Sequence, residues 1–209
     1  MDPNCATSPW WGELLKAIPS IVTATTAIVG LWIAKAGLDK WQRETLGKRK
    51  AELAEQVLIS FYEARDVFKW VRSRGILGGE GQSRKSAEDE DEELRSRRNT
   101  YFIPIERLTR EKKLFAKLQA QRYAFSAYFG AKATEPFDTL SQSHTSIISA
   151  ASVLIEAVKF GPGAVPPDDL LNDLGWGRRE RPDAIDEAID SAVVQIENLC
   201  KPILEGRGL

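Results

Sequence analysis

The feature that most constrains this chain is an uncharged run of 18 residues, AIPSIVTATTAIVGLWIA, which lies between Lys16 and Lys35. As an α-helix the run would be roughly 27 Å long, against about 30 Å for the hydrocarbon core of a bilayer. We term residues 17–34 the apolar segment. Its length predicts a transmembrane helix over residues 17–36, preceded by a short N-terminus over residues 1–16.

The composition of the apolar segment favours insertion into lipid, although serine, threonine and glycine residues dilute it. Its predicted membrane anchor consists of Ile18, Ile21, Val22, Ile28, Val29, Leu31, Trp32 and Ile33. Trp10 and Trp11 precede the segment and Trp41 follows it. Because tryptophan concentrates at membrane–water interfaces, these three residues are the predicted interface anchors.

Basic residues predict the orientation. They crowd the downstream side of the apolar segment at Lys35, Lys40, Arg43, Lys48, Arg49 and Lys50. An excess of lysine and arginine marks the cytoplasmic flank, so we expect the N-terminus outside and the C-terminal part in the cytoplasm. Two alternatives stay open. The segment could be a buried helix of a soluble bundle, or a secretory signal cleaved after Ala34-Lys35-Ala36.

Small residues recur every four positions within the apolar segment, at Thr26, Gly30 and Ala34. Such a row lets two membrane helices approach closely. The row therefore predicts a homodimer, and the heptad-like stripes further along the chain offer a second route to one.

A long amphipathic helix is predicted over residues 37–75, where no proline interrupts the pattern. Its apolar stripe consists of Leu46, Leu53, Val57, Phe61, Ala64, Phe68 and Val71, spaced by seven, four, four, three, four and three residues. This spacing places the side chains on one helical face.

Residues 76–98 break that pattern and predict a flexible charged loop. The run contains glycines, six consecutive acids from Glu88 to Glu93, and then Arg95, Arg97 and Arg98. Such composition is typical of a solvated connection or of a docking segment.

The remaining residues, 99–209, read as further helices of the same bundle. We expect helices to begin near Pro104, Pro136 and Pro182, because proline suits the first turn. Helices with one apolar stripe each close most simply into an antiparallel bundle. The fold class is therefore all-α: one N-terminal transmembrane helix followed by an antiparallel helical bundle with coiled-coil-like stripes.

One cluster of cations offers a possible anion-binding face. Arg110, Lys113 and Lys117 share a side of the helix at helical spacing, and could bind nucleic acid or anionic lipid. The C-terminal part, residues 161–209, carries ten acids and five bases, and we expect it to pack over this basic face instead.

Composition points away from several classes of chemistry. A net charge of −1 does not recommend nucleic acid as a partner. The two cysteines and the single histidine, His144, lack metal-ligand spacing, so we predict no catalytic, cofactor or metal site.

The favoured function is a non-enzymatic interaction or scaffold module at the cytoplasmic face of a membrane, with a protein partner. The alternative is an effector that uses Arg110, Lys113 and Lys117.

Overall fold

The structure is a computed structural model that describes residues 10–87, 90–158, 166–177 and 183–206, with side chains from Thr26 onward apart from residue 27. Within these ranges all regular secondary structure is helical, which confirms the all-α class. The chain divides into two units, Met1–Arg49 and Lys50–Leu209, which are described separately below as unit 1 and unit 2.

Six α-helices and one short 3₁₀ turn are described. They are α1 (Trp10–Val71), α2 (Glu92–Arg110), α3 (Lys112–Phe129), the 3₁₀ turn (Ala131–Thr134), α4 (Glu135–Ala157), α5 (Asp168–Asp173) and α6 (Ala184–Leu204). The predicted boundary between residues 36 and 37 is not a break in secondary structure, because α1 continues through it.

Unit 1 contains the first part of α1. Over the residues that the structure describes, no helix is both long enough and apolar enough to cross a membrane, so the transmembrane prediction has no support here. The predicted anchors Trp10, Trp11, Ile18, Ile21 and Val22 lie outside the described side chains.

Unit 2 is a helical bundle, as predicted, and α1 supplies one wall of its core. Five stripe residues of α1 are completely buried: Val57, Phe61, Ala64, Phe68 and Val71. Leu53 is partly buried against the same core, whereas Leu46, which belongs to unit 1, is 48% exposed. The stripe predicted from spacing is therefore the buried face from residue 53 onward.

Two contacts give the relative direction of α1 and α6. The hydroxyl of Tyr62 donates a hydrogen bond of 2.5 Å to Glu197, near the end of α6. Ten residues later, Arg72 binds Asp183, the residue that caps the beginning of α6. The two helices are therefore antiparallel, as a bundle of this kind requires.

The charged loop predicted over residues 76–98 ends earlier than expected. Residues 92–98 are the first turns of α2, so that helix does not begin near Pro104, which lies in its interior. The side chain of Asp91 caps α2 by accepting from the backbone NH of Leu94 at 2.7 Å. Acids at and just after a cap are stabilised by the unpaired NH groups and by the helix dipole. The acidic block is therefore a helix start as well as a charged run.

The other helix ends follow local signals. Pro136 lies in the first turn of α4, as predicted, and Asp183 caps α6 by accepting from the NH groups of Ile185 and Asp186. Gly175 ends the short α5 with a φ of +72°, and a Cβ there would lie 2.9 Å from the carbonyl oxygen of Arg72. Only glycine fits this position without a shift of the backbone.

Replacing Phe61 with alanine should destabilise unit 2 strongly. Phe61 is fully buried and lies edge-on to Phe137, with ring centroids 4.8 Å apart. We expect a loss of about 3–5 kcal/mol in the free energy of unfolding, from lost burial and a cavity. Urea unfolding followed by circular dichroism measures it. The control is Ile59→Ala, which changes a 46% exposed residue of the same helix and should cost less than about 1 kcal/mol. Equal losses would contradict the assignment of the buried face.

Candidate functional site

The described part of the apolar segment exposes its large side chains. Ile28, Val29, Leu31, Trp32 and Ile33 are between 55% and 73% exposed. Consecutive helical residues point about 100° apart, so these side chains cover more than one face of α1. A helix that packs on a soluble core has a single apolar stripe, whereas a helix apolar on several sides belongs in an apolar surrounding. These five residues are the first part of the candidate site.

Exposed cations follow the apolar segment directly. We term residues 35–49 the basic segment. Its five cations, Lys35, Lys40, Arg43, Lys48 and Arg49, are all exposed, as is Trp41 at 62%. The one ion pair described within it joins Lys40 to Glu44 at 3.8 Å, with side chains 78% and 66% exposed. An exposed pair of this kind holds its partners weakly.

The row of small residues is also on the surface. Thr26, Gly30 and Ala34 are exposed, and a Cβ added to Gly30 would meet no atom within 4 Å. A second helix therefore has room to approach this row closely. Self-association through it stays a prediction.

The predicted anion-binding face is partly neutralised by carboxylates. Arg110 lies 2.7 Å from Glu106 and 3.8 Å from Glu80, and Lys117 lies 3.9 Å from Glu63. Lys113 is exposed. Among the described residues, the neutralising acids are Glu80 after the end of α1, Glu106 in α2 and Glu63 in α1. They do not come from residues 161–209, as we expected from the charge balance. Charge balance alone does not specify which carboxylates the fold brings near.

A buried guanidinium holds the segment after α1. Arg107 is 1% exposed and donates to both carboxylate oxygens of Glu80, at 3.0 and 2.6 Å. It also donates to the carbonyl oxygens of Trp70 at 2.8 Å and Ser73 at 3.0 Å, and to that of Gly75. The hydrogen bond from Arg107 is the main reason that the pKa of Glu80 lies below its ordinary value. This cluster is structural, since its polar groups are occupied by one another.

A second buried cluster lies at the other end of the same segment. Glu90 is paired with both Arg84 and Arg98. The hydrogen bond from Arg84, aided by Arg98, lowers the pKa of Glu90 to about 2. Gly81 lies between the clusters with a φ of +81°, and a Cβ there would lie 2.2 Å from the carbonyl oxygen of Asn99. The segment predicted to be flexible therefore has specific buried contacts, which sequence spacing does not reveal.

A groove of about 220 Å³ lies between α3 and α4. Phe115, Leu118, Phe137 and Leu140 form its apolar lining, and His144 lies with its ring 4.6 Å from that of Phe115. Burial lowers the pKa of His144, which favours the neutral imidazole. Among the described residues that line the groove there is no carboxylate to orient this imidazole for acid–base chemistry. His144 is therefore best explained as a packed side chain.

Other reactive groups offer no assembled centre in the described ranges. The thiol of Cys200 is buried, and burial raises its pKa to about 12, so it is a poor nucleophile. Cys5 lies outside the described residues. No group of three or more His, Cys, Asp or Glu side chains that could hold a metal ion is found among the residues described.

Comparison with known proteins gives no match: no family model, no curated protein and no solved structure resembles this chain significantly. The candidate site therefore consists of the apolar segment and the basic segment, both in unit 1, because of their exposed apolar side chains and exposed cations.

Removing the charge of Arg107 should destabilise unit 2. Arg107→Met leaves Glu80 buried without its main partner, and we expect a loss of about 3–5 kcal/mol in unfolding free energy. Adding Glu80→Gln should recover part of that loss, because no buried charge then remains unpaired. Chemical denaturation of both single variants and the double variant measures the coupling. Lys201→Met is the control, since its 51% exposed side chain pairs with Glu197 at the surface. Strictly additive effects at Arg107 and Glu80 would contradict the pairing.

Low pH should lower the unfolding stability of unit 2, because it protonates Glu90. Its pKa in the folded chain is about 2, below the ordinary value of 4.5, so its stabilising contribution is complete above about pH 4.5. That contribution is lost as the pH falls towards 2. Thermal unfolding of the wild type and of Glu90→Gln should differ most near neutral pH and converge in acid. The control is Glu92→Gln in the same acidic block, where the side chain is 87% exposed. Identical profiles for the two variants would count against the ion pairs of Glu90.

Proposed function

We propose that this chain is a non-enzymatic helical interaction module that is attached to the cytoplasmic face of a membrane by the apolar segment. The observation that carries the proposal is the exposure of Ile28, Val29, Leu31, Trp32 and Ile33. Burying large apolar side chains contributes about 25 cal/mol per Å² of surface removed from water. Lipid is the surrounding that can cover several faces of one helix at once.

Tryptophans and cations support this attachment. Trp41 is 62% exposed at a position that follows the apolar segment by seven residues, or about 10 Å of helix. Tryptophan there is suited to the headgroup region, and the cations of the basic segment favour the cytoplasmic side. In the proposal the apolar segment inserts into the bilayer, and unit 2 lies in the cytoplasm.

The non-enzymatic role rests on how unit 2 uses its charged groups. Buried Glu80 binds Arg107, and buried Glu90 binds Arg84 and Arg98. Arg107 also binds the backbone of Trp70. Arg72 likewise binds Asp183 and the carbonyl oxygens that end α5. Groups occupied in this way stabilise a scaffold, so we propose that unit 2 presents a surface to a protein partner.

The test is fractionation of cells that produce the full chain, with a carbonate or high-salt wash of the membranes and protease treatment from outside. We expect the chain to remain in the membrane pellet and its C-terminal part to be protected. A full-length chain in the soluble fraction would contradict the attachment. A protease-sensitive C-terminal part would contradict the proposed orientation.

A matched pair of variants tests whether the apolar segment itself, and not any exposed apolar side chain, attaches the chain to the membrane. Leu31→Glu with Trp32→Glu places two charges at side chains that are 72% and 73% exposed, where placing each charge in lipid costs several kcal/mol. This variant should move to the soluble fraction without loss of helical content. The control, Ile76→Glu with Leu77→Glu, alters two neighbouring exposed apolar residues of unit 2 and should stay in the membrane pellet. Retention of both variants would contradict the role of the apolar segment.

A further inference from the structure

We infer that the basic segment binds the headgroups of anionic phospholipids. The inference rests on the proposed membrane attachment, and it names the lipid class that the attachment prefers. It assigns anion recognition to the basic segment of α1 instead of to Arg110, Lys113 and Lys117, which lie at the end of α2 and in α3. It rests on the exposure, ion pairing and position of the cations in the basic segment, compared with those on the predicted anion-binding face.

The cations of the basic segment are available, whereas two of the three cations on the predicted anion-binding face, Arg110 and Lys117, lie near carboxylates. All five basic side chains over residues 35–49 are exposed, and the ion pair described among them is the exposed one between Lys40 and Glu44. On the predicted face, Arg110 is shared between Glu106 and Glu80, and Lys117 faces Glu63. An anion that approaches Arg110 must compete with a carboxylate 2.7 Å away.

The local charge balance favours anions. Residues 35–49 contain five cations against the two acids Asp39 and Glu44, although the whole chain has a net charge of −1. The segment therefore has a local excess of positive charge that attracts anionic lipid, although the chain as a whole does not. Screening limits it further, because the Debye length is about 10 Å at an ionic strength of 0.1 M.

Position along the helix brings these cations to the membrane surface. Lys35 directly follows the apolar segment, and Arg43 follows Ala34 by nine residues, or about 13 Å along α1. Headgroups lie just outside the hydrocarbon core, so Lys35, Lys40 and Arg43 are the cations closest to the lipid phosphates in the proposed attachment. Anionic lipids attract basic segments at this distance, with a gain of about fivefold in binding for each cation.

The experiment measures flotation of the full chain with vesicles of phosphatidylcholine, alone or mixed with phosphatidylserine, at low and high salt. The test variant carries Lys35→Gln, Lys40→Gln and Arg43→Gln. The control variant carries Lys112→Gln, Lys113→Gln and Lys132→Gln, which removes the same charge from exposed residues of unit 2. Circular dichroism checks that all three proteins keep the same helical content.

We expect phosphatidylserine to raise binding of the wild type and of the control variant, and high salt to abolish the gain. At about fivefold for each of three cations, the gain from phosphatidylserine should be about 100-fold smaller in the test variant, which should keep its binding to phosphatidylcholine. An unchanged gain in the test variant would overturn the inference, as would an equal loss in the control variant. Binding of a single-stranded RNA that depends on the same three cations, without any gain from phosphatidylserine, would assign the segment to nucleic acid and also overturn it.

The proposed attachment can fail separately. If neither the wild type nor a variant floats with phosphatidylcholine alone, the apolar segment does not anchor the chain. A gain from phosphatidylserine that the test variant loses would then still support the lipid preference of the basic segment.

Discussion

The buried guanidinium of Arg107 is the interaction on which the rest of unit 2 depends. The last carbonyl groups of a helix lack a helical partner, and Arg107 binds the carbonyl of Trp70 in the last turn of α1. It also binds the carbonyls of Ser73 and Gly75 in the turn that follows α1. The same guanidinium binds Glu80 with two hydrogen bonds. One side chain of α2 thus binds the end of α1 and the turn that follows it, and so holds α2 against both. Because the guanidinium is almost inaccessible to water, its removal deprives the buried carboxylate of Glu80 of two hydrogen bonds.

Arg72 performs a similar function for the C-terminal helices. It binds the carbonyl oxygens of Asn172 and Asp173 at the end of α5, and the carboxylate of Asp183 that caps α6. Both arginines therefore act on helix ends, where backbone groups lack partners and where the helix dipole concentrates partial charge. The buried charged residues of unit 2 join its helices, so the exposed surfaces are the parts that remain available to bind a partner.

The apolar residues of α1 are buried in one part of the helix and exposed in another. From residue 53 onward its apolar residues recur at helical spacing and are buried by other helices of unit 2. Within residues 28–33 large apolar side chains occur on several sides and are exposed. A bundle covers one stripe of a helix, but it does not cover a helix that is apolar on several faces. The proposed membrane attachment follows from this contrast.

The sequence by itself determined the helical class, the buried stripe of α1, and the candidate site in unit 1, because period and composition are local properties of the chain. Val57, Phe61, Ala64, Phe68 and Val71 are buried as their spacing requires. The ion pair of Glu80 with Arg107 and the burial of Glu90 between Arg84 and Arg98 were decided only by tertiary structure. The cap of α2 at Asp91 and the pair of Arg110 with Glu106 are local contacts of that helix. Whether a charge is buried, paired or free depends on which groups other segments bring within a few ångströms of it. Sequence spacing along one helix carries no information about those distant partners.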